Sequence, residues 1–367
     1  MSNVFSVIMA GGIGSRFWPL SREKKPKQFL DILGTGKTLI QQTYERFRKI
    51  SLPQNIFVVT NQQYKQLVKE QLPELPESNI LLEPERRNTA PCIAYAAKKI
   101  ELINPDAIMI VSPSDHKVDN TDRFIYLLQM GVKFIQEHNP NALLTLGIEP
   151  TRPETGYGYI QKDNSNSFTI DHIKIYKVKT FTEKPDKETA QIFFENKEFL
   201  WNSGIFIWSV KTILNSLKHH LPRIANEFEK ITTSLNTPDE PLAIKKVYSA
   251  IDSISIDVGV MENESEVYVI PADFGWSDLG TWGSLYENAI KEKDQDGNVK
   301  IGDNIITMFT KNSFINVPDD KLVVVLGLEN IIVAEADGML LIADKNHEQF
   351  IRQIVHKIKV DKGDKYI

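Results

Sequence analysis

The sequence predicts an α/β protein, a doubly wound and mostly parallel sheet followed by a small β domain. Three observations carry this. Compact apolar runs alternate with helix-patterned segments over the first 290 residues or so, the order expected of βαβ units. The runs are apolar throughout rather than at every second position, as in strands covered on both faces. After about residue 290 the texture changes to short alternating strands with turn residues every 8 to 10 positions, the mark of a small β domain.

Each element has its own warrant. VFSVIMA (4–10) is the first strand and runs into a glycine-rich turn. TLIQQTYERFRKI (38–50) spaces its apolar residues as a helix does, and NIFVVT (55–60) is the next strand. NTAPCIAYAAKKIELI (88–103) opens with the cap-type residues Asn88 and Thr89 and carries a proline near its first turn, a helix-start signal. AIMIVSPS (107–114) and ALLTLGI (142–148) are two further strands. Ligands of such sheets lie outside the carboxyl ends of the strands, which is where the glycine turn sits. KEKDQDGNVKIGDN (291–304) is polar and glycine-punctuated, so the boundary is set between 1–290 and 291–367. LVVVLGLENIIVAEADGMLLIAD (322–344) reads as coils of a β-solenoid, a short left-handed β-helix, and NHEQFIRQIVHKI (346–358) as a closing amphipathic helix. Strands without a full sheet to cover them find partners, so a homodimer is expected.

Composition narrows the function classes. The chain has 367 residues, 41% hydrophobic and 25% charged, with a formal charge of −5. A pI near 5.9 argues against nucleic acid as the partner, because phosphate-backbone binding draws on a broad basic surface. MSNVFSVIMAGG shows no charged leader region and no apolar run long enough to span a membrane, so a cytoplasmic location with no membrane partner is expected. The single cysteine, Cys92, forms no internal disulfide and is expected as a small buried hydrophobe.

Against this acidic background, Arg16, Arg22, Lys24, Lys25 and Lys27 crowd into twelve residues with one acid, Glu23. The preceding loop admits three readings. A dinucleotide fingerprint would require glycine at 12, 14 and 17, and Phe17 breaks it. GTGKT (34–38) imitates the end of a phosphate-binding loop, but Asp31 stands where that pattern requires glycine, so it is a turn. What remains is Gly11-Gly12-Ile13-Gly14-Ser15-Arg16 after a strand, where glycines bring backbone N–H groups against phosphate oxygens and Arg16 and Lys27 add charge-assisted bonds. The plain alternative is a strand-to-helix turn beside a solvated basic face.

GGIGSRFWPLSREKKPKQFL (11–30) closely resembles the signature of the sugar-1-phosphate nucleotidyltransferases and, within them, the bacterial mannose-1-phosphate guanylyltransferases, or GDP-mannose pyrophosphorylases. The likeness continues in order through EPERRNTAP (83–91), SPSDH (112–116), ETGYGYI (154–160), FTEKP (181–185), WNSGIFIW (201–208) and FGWSDLGTW (274–282). Thr182 stands where the pattern more often has Val. The resemblance implies a Rossmann-like nucleotide-diphospho-sugar transferase fold. It also implies the reaction of GTP with mannose 1-phosphate to give GDP-mannose and pyrophosphate.

The resemblance further implies roles for particular residues. Gly11, Gly12, Gly14 and Ser15 hold the nucleotide, while Arg16 and Lys27 grip its phosphates. Asp115 and Asp278 hold magnesium, a hard cation suited to one or two carboxylates plus substrate phosphates. Lys184 takes the phosphate of mannose 1-phosphate, and Glu183 and Asn202 take sugar hydroxyls beside a wall of Tyr157 and Gly158. Glu83, Asn88 and Thr89 are the candidates for guanine recognition, although Asn88 and Thr89 serve equally as helix caps. Arg22, Lys24 and Lys25 are a positive field at the entrance or a plain solubility feature. Lys27 and Lys184 are both expected to be exposed.

Two alternatives accompany this reading. One is the same enzyme with another sugar 1-phosphate or nucleotide; the other is a non-catalytic sugar-nucleotide sensor on the same fold, which would be expected to lack some of Arg16, Lys27, Asp115, Lys184 and Asp278. All five are present. Some relatives fuse an isomerase domain; the roughly 75 residues after 290, with only His347 and His356, are too few for it.

Overall fold

The computed structural model describes residues 3–289 and 293–367, so the expected boundary at 290/291 lies outside the described residues. The chain packs as two units. One gathers the residues up to Gly11 with Thr43–Ser114 and Val118–Trp276; the other gathers Gly12–Gln42, Asp115–Lys117 and Ser277–Ile367.

The first unit is built on a sheet of nine strands. These are β1 (Val4–Met9), β2 (Ile56–Asn61), β3 (Ile80–Glu83), β4 (Ile108–Pro113), β5 (Leu143–Ile148), β6 (Tyr159–Ile170), β7 (Ile173–Thr182), β8 (Phe199–Ser209) and β9 (Val267–Ala272). Their order is β3-β2-β1-β4-β8-β5-β9-β7-β6. β3, β2, β1 and β4 run parallel, with Val58 beside Ile80, Ser6 beside Ile56 and Val4 beside Ile108. β8 lies antiparallel between β4 and β5, β5 and β9 are parallel, and β6 and β7 form a long antiparallel hairpin. In β1, β2, β4 and β5 every residue but the last is buried. Helices cover both faces, which is why these strands read as unbroken apolar runs.

The helices linking these strands are α1 (Leu39–Phe47), α2 (Lys65–Gln71), α3 (Thr89–Ile103), α4 (Thr121–Glu137), α5 (Lys187–Glu195), α6 (Val210–His220), α7 (Pro222–Lys230) and α8 (Glu240–Ala250). α3 is buried on all sides from Ala90 to Ile100, as a helix apolar all round must be. Its two lysines are buried because each has a carboxylate: Lys98 meets Glu229 at 2.8 Å and Lys99 meets Glu240 at 2.7 Å. Cys92 is in this core, free and buried as expected.

The second unit contains α9 (Trp282–Glu287), α10 (Ile351–Lys362) and six short strands: β10 (Val299–Ile301), β11 (Ile305–Met308), β12 (Phe314–Asn316), β13 (Val323–Leu326), β14 (Ile331–Ala336) and β15 (Met339–Asp344). β10, β12 and β14 stack in parallel through Val299, Phe314 and Ile332, and β11 stacks on β13. Parallel stacking of successive coils is the solenoid arrangement the sequence predicts. One core joins Phe17 and Trp18 of the signature segment, and Ile32 and Leu39 just after it, to Leu279, Trp282, Phe314 and Ile332. The basic signature is therefore packed with the C-terminal strands in a single unit. Among the described residues no helix is long and apolar enough to cross a membrane.

Candidate active site

In the second unit the chemistry gathers around Lys27. Far from being exposed as expected, Lys27 is buried at 3% exposure. Its ammonium donates to the carbonyls of Asp278 at 2.8 Å and Leu279 at 3.0 Å, and pairs with the Asp115 carboxylate at 2.8 Å. One nitrogen thus ties together three sequence motifs, and a charge this buried is tolerated because every donor has a partner. Burial raises the Asp115 pKa, but the Lys27 and His116 charges outweigh it and hold that carboxyl below its ordinary value. Leu279, fully buried, adopts a left-handed backbone at φ 45°. A bulky side chain there costs energy, and such strain collects at functional sites.

The glycine loop is fixed by the same segment. Gly14 takes φ 74°, and a Cβ on it would lie 2.5 Å from Lys27 Cβ, so neither the conformation nor the space admits a side chain. The Ile13 carbonyl accepts from Lys27 N at 3.1 Å and from the Ser21 hydroxyl, and Gln28 Nε2 donates to Gly12 O at 2.9 Å. Ser15 and Arg16 open the short 3₁₀ turn that follows. Arg16 is half-buried and its side chain has no ion pair or hydrogen bond among the described residues, so its donors remain unspent. Lys24 and Lys25 are exposed, whereas Arg22 pairs with Asp337. Asp278 Oδ1 accepts from Gly280 N at 2.9 Å. Asp115 thus meets the ammonium through its carboxylate and Asp278 through its main-chain carbonyl, while the Asp278 carboxylate accepts from Gly280 N; carboxylates are the hard-oxygen kind of ligand that magnesium takes beside substrate phosphates. Among the described residues no group of three or more His, Cys, Asp or Glu could hold a metal ion.

In the first unit a second cluster lies at the ends of β7 and β8. Asn202 is held from every side: its N–H donates to Gly158 O at 2.8 Å, its Oδ1 accepts from Gly204 N at 3.0 Å, and its Nδ2 donates to Asp257 Oδ1 at 2.8 Å. One amide N–H is left to donate. A Cβ on Gly158 would lie 2.6 Å from Glu183 Oε2, so the glycine leaves room for that carboxylate. Glu183 pairs with Lys184, whose side chain is 61% exposed, as expected. Tyr157 packs edge-on between Trp201 at 5.1 Å and Trp276 at 5.3 Å. Burial, reinforced by the neighbouring Glu183 charge, pushes the Asp257 carboxyl up to about 6. Asp257 and Glu262, which accepts from Glu183 N at 2.8 Å, carry no sequence signal of their own; a tertiary contact alone reveals them. Asp257 does begin a π-helical turn, Asp257–Met261, a feature frequent at functional sites.

At the end of β3, Glu83 is 5% exposed and accepts from the Tyr248 hydroxyl at 2.8 Å. Burial pushes its carboxyl up to about 7, against the opposing effects of Tyr248 and Arg86. Gly11 packs beside it, since a Cβ there would meet Glu83 Oε2 at 3.2 Å. Asn88 Oδ1 caps α3 by accepting from Thr89 N at 2.9 Å, and Thr89 Oγ1 accepts from Ile256 N at 2.8 Å. These oxygens are thus engaged in fixing the start of α3. A cavity of about 250 Å³ elsewhere in this unit, lined by Arg123, Glu149, Lys162, Lys197 and Asp273 among others, holds none of the expected site residues.

Comparisons with known proteins bear on these clusters. A family model described as Nucleotidyl transferase matches residues 5–295, and one described as MannoseP isomerase/GMP-like beta-helix domain matches residues 303–358. The chain is similar to mannose-1-phosphate guanylyltransferase of Escherichia coli strain K12, with 36% identity over 365 residues, 98% of this chain and 74% of that one. It is similar to the mannose-1-phosphate guanylyltransferase of Klebsiella pneumoniae, with 34% identity over 363 residues, 98% of this chain and 75% of that one. Among solved structures it resembles mannose-1-phosphate geranyltransferase from Thermus thermophilus, with a TM-score of 0.84 and 28% identity over 97% of this chain and 99% of that chain.

Proposed function

The chain belongs to the nucleotidyl transferase family, and from that premise we propose that it converts GTP and mannose 1-phosphate to GDP-mannose and pyrophosphate. The observation that carries the reading is the Lys27 junction, where one buried ammonium joins Asp115 to the Asp278 segment beside the glycine loop. Relatives matched over 98% of the chain and named for this activity supply the substrates.

The chemistry asks for little covalent help. A phosphate oxygen of mannose 1-phosphate attacks the α-phosphorus of GTP, the bond from that phosphorus to the bridging oxygen breaks, and pyrophosphate leaves with the electron pair. The nucleophile is already anionic, so no general base is required, and positioning and charge neutralisation carry the rate. Arg16, with the Gly11–Gly14 backbone and Ser15, is assigned to the triphosphate and the departing pyrophosphate, and Lys27, whose donors are engaged by Asp115, Asp278 and Leu279, to the same phosphates through its charge. Lys184 is assigned to the sugar phosphate, Glu183 and Asn202 to hydroxyls, and Tyr157 and Gly158 to the sugar wall. Glu83, Asn88 and Thr89 are assigned to the guanine side. Asp115 and Asp278 would hold magnesium, which supplies charge stabilisation at the phosphorus when bound.

The reading extends to a cytoplasmic homodimer. A lone buried thiol suits a reducing compartment. Ile306, Met308, Val324 and Leu326, more than half exposed on the paired strands β11 and β13, offer an apolar face to a second copy.

The test is phosphorus NMR of the purified protein with GTP and mannose 1-phosphate. GDP-mannose and pyrophosphate should appear in equal amounts, and a chelator of divalent cations should stop the reaction. Hydrolysis of GTP to GDP and phosphate without sugar transfer would overturn the proposal.

A further inference from the structure

We propose that Arg22 and Asp337 form a latch through which the C-terminal β domain holds the glycine loop in its binding shape; this rests on the triphosphate role proposed for that loop. Nothing in the reaction itself uses Arg22. As a sequence feature it is one more cation in a positive field, but the structure pairs its guanidinium with the Asp337 carboxylate.

Both ends of the pair are stiff. Arg22 sits in a tight turn, donating its N–H to Lys25 O at 3.1 Å and accepting from Lys25 N at 3.0 Å. Asp337 and Gly338 form the two-residue loop between β14 and β15, which close on the Ala336–Met339 pair. Both loop residues have positive φ, 50° and 76°, the geometry of the tight hairpin turns that aspartate and asparagine favour. The carboxylate is therefore presented by a fixed turn rather than by a mobile chain. The Arg22 side chain is only 15% exposed and the Asp337 side chain 60%, so the pair closes over the guanidinium.

From Arg22 the contacts run directly to the loop. The adjacent Ser21 hydroxyl donates to Ile13 O, the carbonyl that also accepts from Lys27 N. The same segment is held again from behind: Trp18 Nε1 donates to Tyr366 O at 2.7 Å, and the Phe17 ring packs on Trp282 at 5.3 Å, which packs on Phe314 at 5.6 Å. The short strands and last residues of the chain thus form the mounting of the phosphate loop. Arg22 and Asp337 are positioning residues, acting through Ser21 and Ile13.

A latch and a positive field give opposite signs for one variant. Asp337→Asn keeps the hairpin, because Asn-Gly suits this turn at least as well as Asp-Gly, while removing a negative charge. A field would then grow more positive and kcat/KM for GTP would rise, most at low salt. A latch would break. Arg22→Met and Asp337→Asn should each raise KM for GTP about three- to five-fold, the size expected for a partly exposed pair, with KM for mannose 1-phosphate unchanged. The reversed pair, Arg22→Asp with Asp337→Arg, should recover most of the loss seen in either reversed single variant. Hydrogen exchange without any substrate gives a second reading: amides of Ile13–Phe17 should exchange faster in both neutral variants than in the wild type. Unchanged exchange, or improved use of GTP by Asp337→Asn, would overturn the latch. Should the wild type fail to use GTP at all, the functional proposal falls, while the exchange comparison still decides whether the latch holds the loop.

Discussion

Replacing Lys27 with methionine keeps most of the stem volume and deletes the ammonium, and its cost can be worked from the contacts. The variant strands the Asp115 carboxylate and leaves two buried carbonyls, of Asp278 and Leu279, without their donor. Removing one partner of a fully buried ion pair costs about 3–5 kcal/mol. Asp115 keeps 31% of its side-chain exposure, so water takes up part of the loss and we expect about 2 kcal/mol. The pH dependence has a definite sign. In the wild type the Asp115 pKa is held below its ordinary value, so its stabilising contribution is present above that value and lost as pH falls through the depressed one. Without Lys27, burial is opposed only by the His116 charge and a backbone hydrogen bond, so the carboxyl rises from its wild-type value, and the variant's deficit should be largest at neutral pH and shrink as pH falls through the depressed wild-type value of Asp115. Thermal unfolding from pH 3 to 8, with initial rates at varied GTP, measures both effects. KM for GTP should rise and kcat/KM should fall by about two orders of magnitude, as for loss of one preorganised electrostatic contact. Lys24→Met, an exposed neighbour, should stay within about 0.5 kcal/mol of wild type. A Lys27→Met enzyme with wild-type KM for GTP and a pH-independent deficit would refute the reasoning.

Other outcomes follow from the remaining residues. Asp115→Asn and Asp278→Asn should each lower kcat at least about a hundredfold at saturating magnesium, and the double variant should be little worse than the poorer single, because groups that act as a unit do not add; near-normal turnover by both would remove the carboxylate pair from the mechanism. Lys184→Ala should raise KM for mannose 1-phosphate and leave KM for GTP alone, read from initial rates with each substrate varied. Glu83, pushed up to about 7 by burial, binds its proton more tightly in the folded state than in the unfolded. Its penalty is therefore absent below about pH 4.5 and grows as pH rises through 7. Glu83→Gln keeps an acceptor for Tyr248 and should stabilise the protein by on the order of 2 kcal/mol at pH 8 and little at pH 5, measured by denaturant unfolding.

The parts of the fold that were legible in the sequence are those whose physics is local. β1, β2, β4 and β5 are buried on both faces and so announce themselves as apolar runs. IKIYKVKTF is likewise legible as β7, but its partner β6 was not, because KDNSNSFT is mostly exposed and polar, and a strand wet on both faces has the composition of a loop. Burial of charge was equally hidden. Lys24, Lys25 and Lys27 look alike in sequence, but among the described residues the Lys27 side chain alone of the three finds polar partners, and these come from 88 and more than 250 positions away. Asn88 was legible as a cap because capping is local, and its bond from Thr89 N is there, whereas the Thr89 hydroxyl serves a distant partner, Ile256 N. Asp257 was not legible, since its significance lies entirely in its contact with Asn202.

The central claim is the choice of substrates, and crossing four nucleoside triphosphates with mannose, glucose and N-acetylglucosamine 1-phosphates tests it most directly. Pyrophosphate release is followed with and without magnesium. GTP with mannose 1-phosphate should exceed every other pair by at least about tenfold in kcat/KM, a margin of roughly 1.4 kcal/mol in transition-state binding. A clear preference for UTP or dTTP, or for another sugar phosphate, would contradict the account while leaving the fold as described.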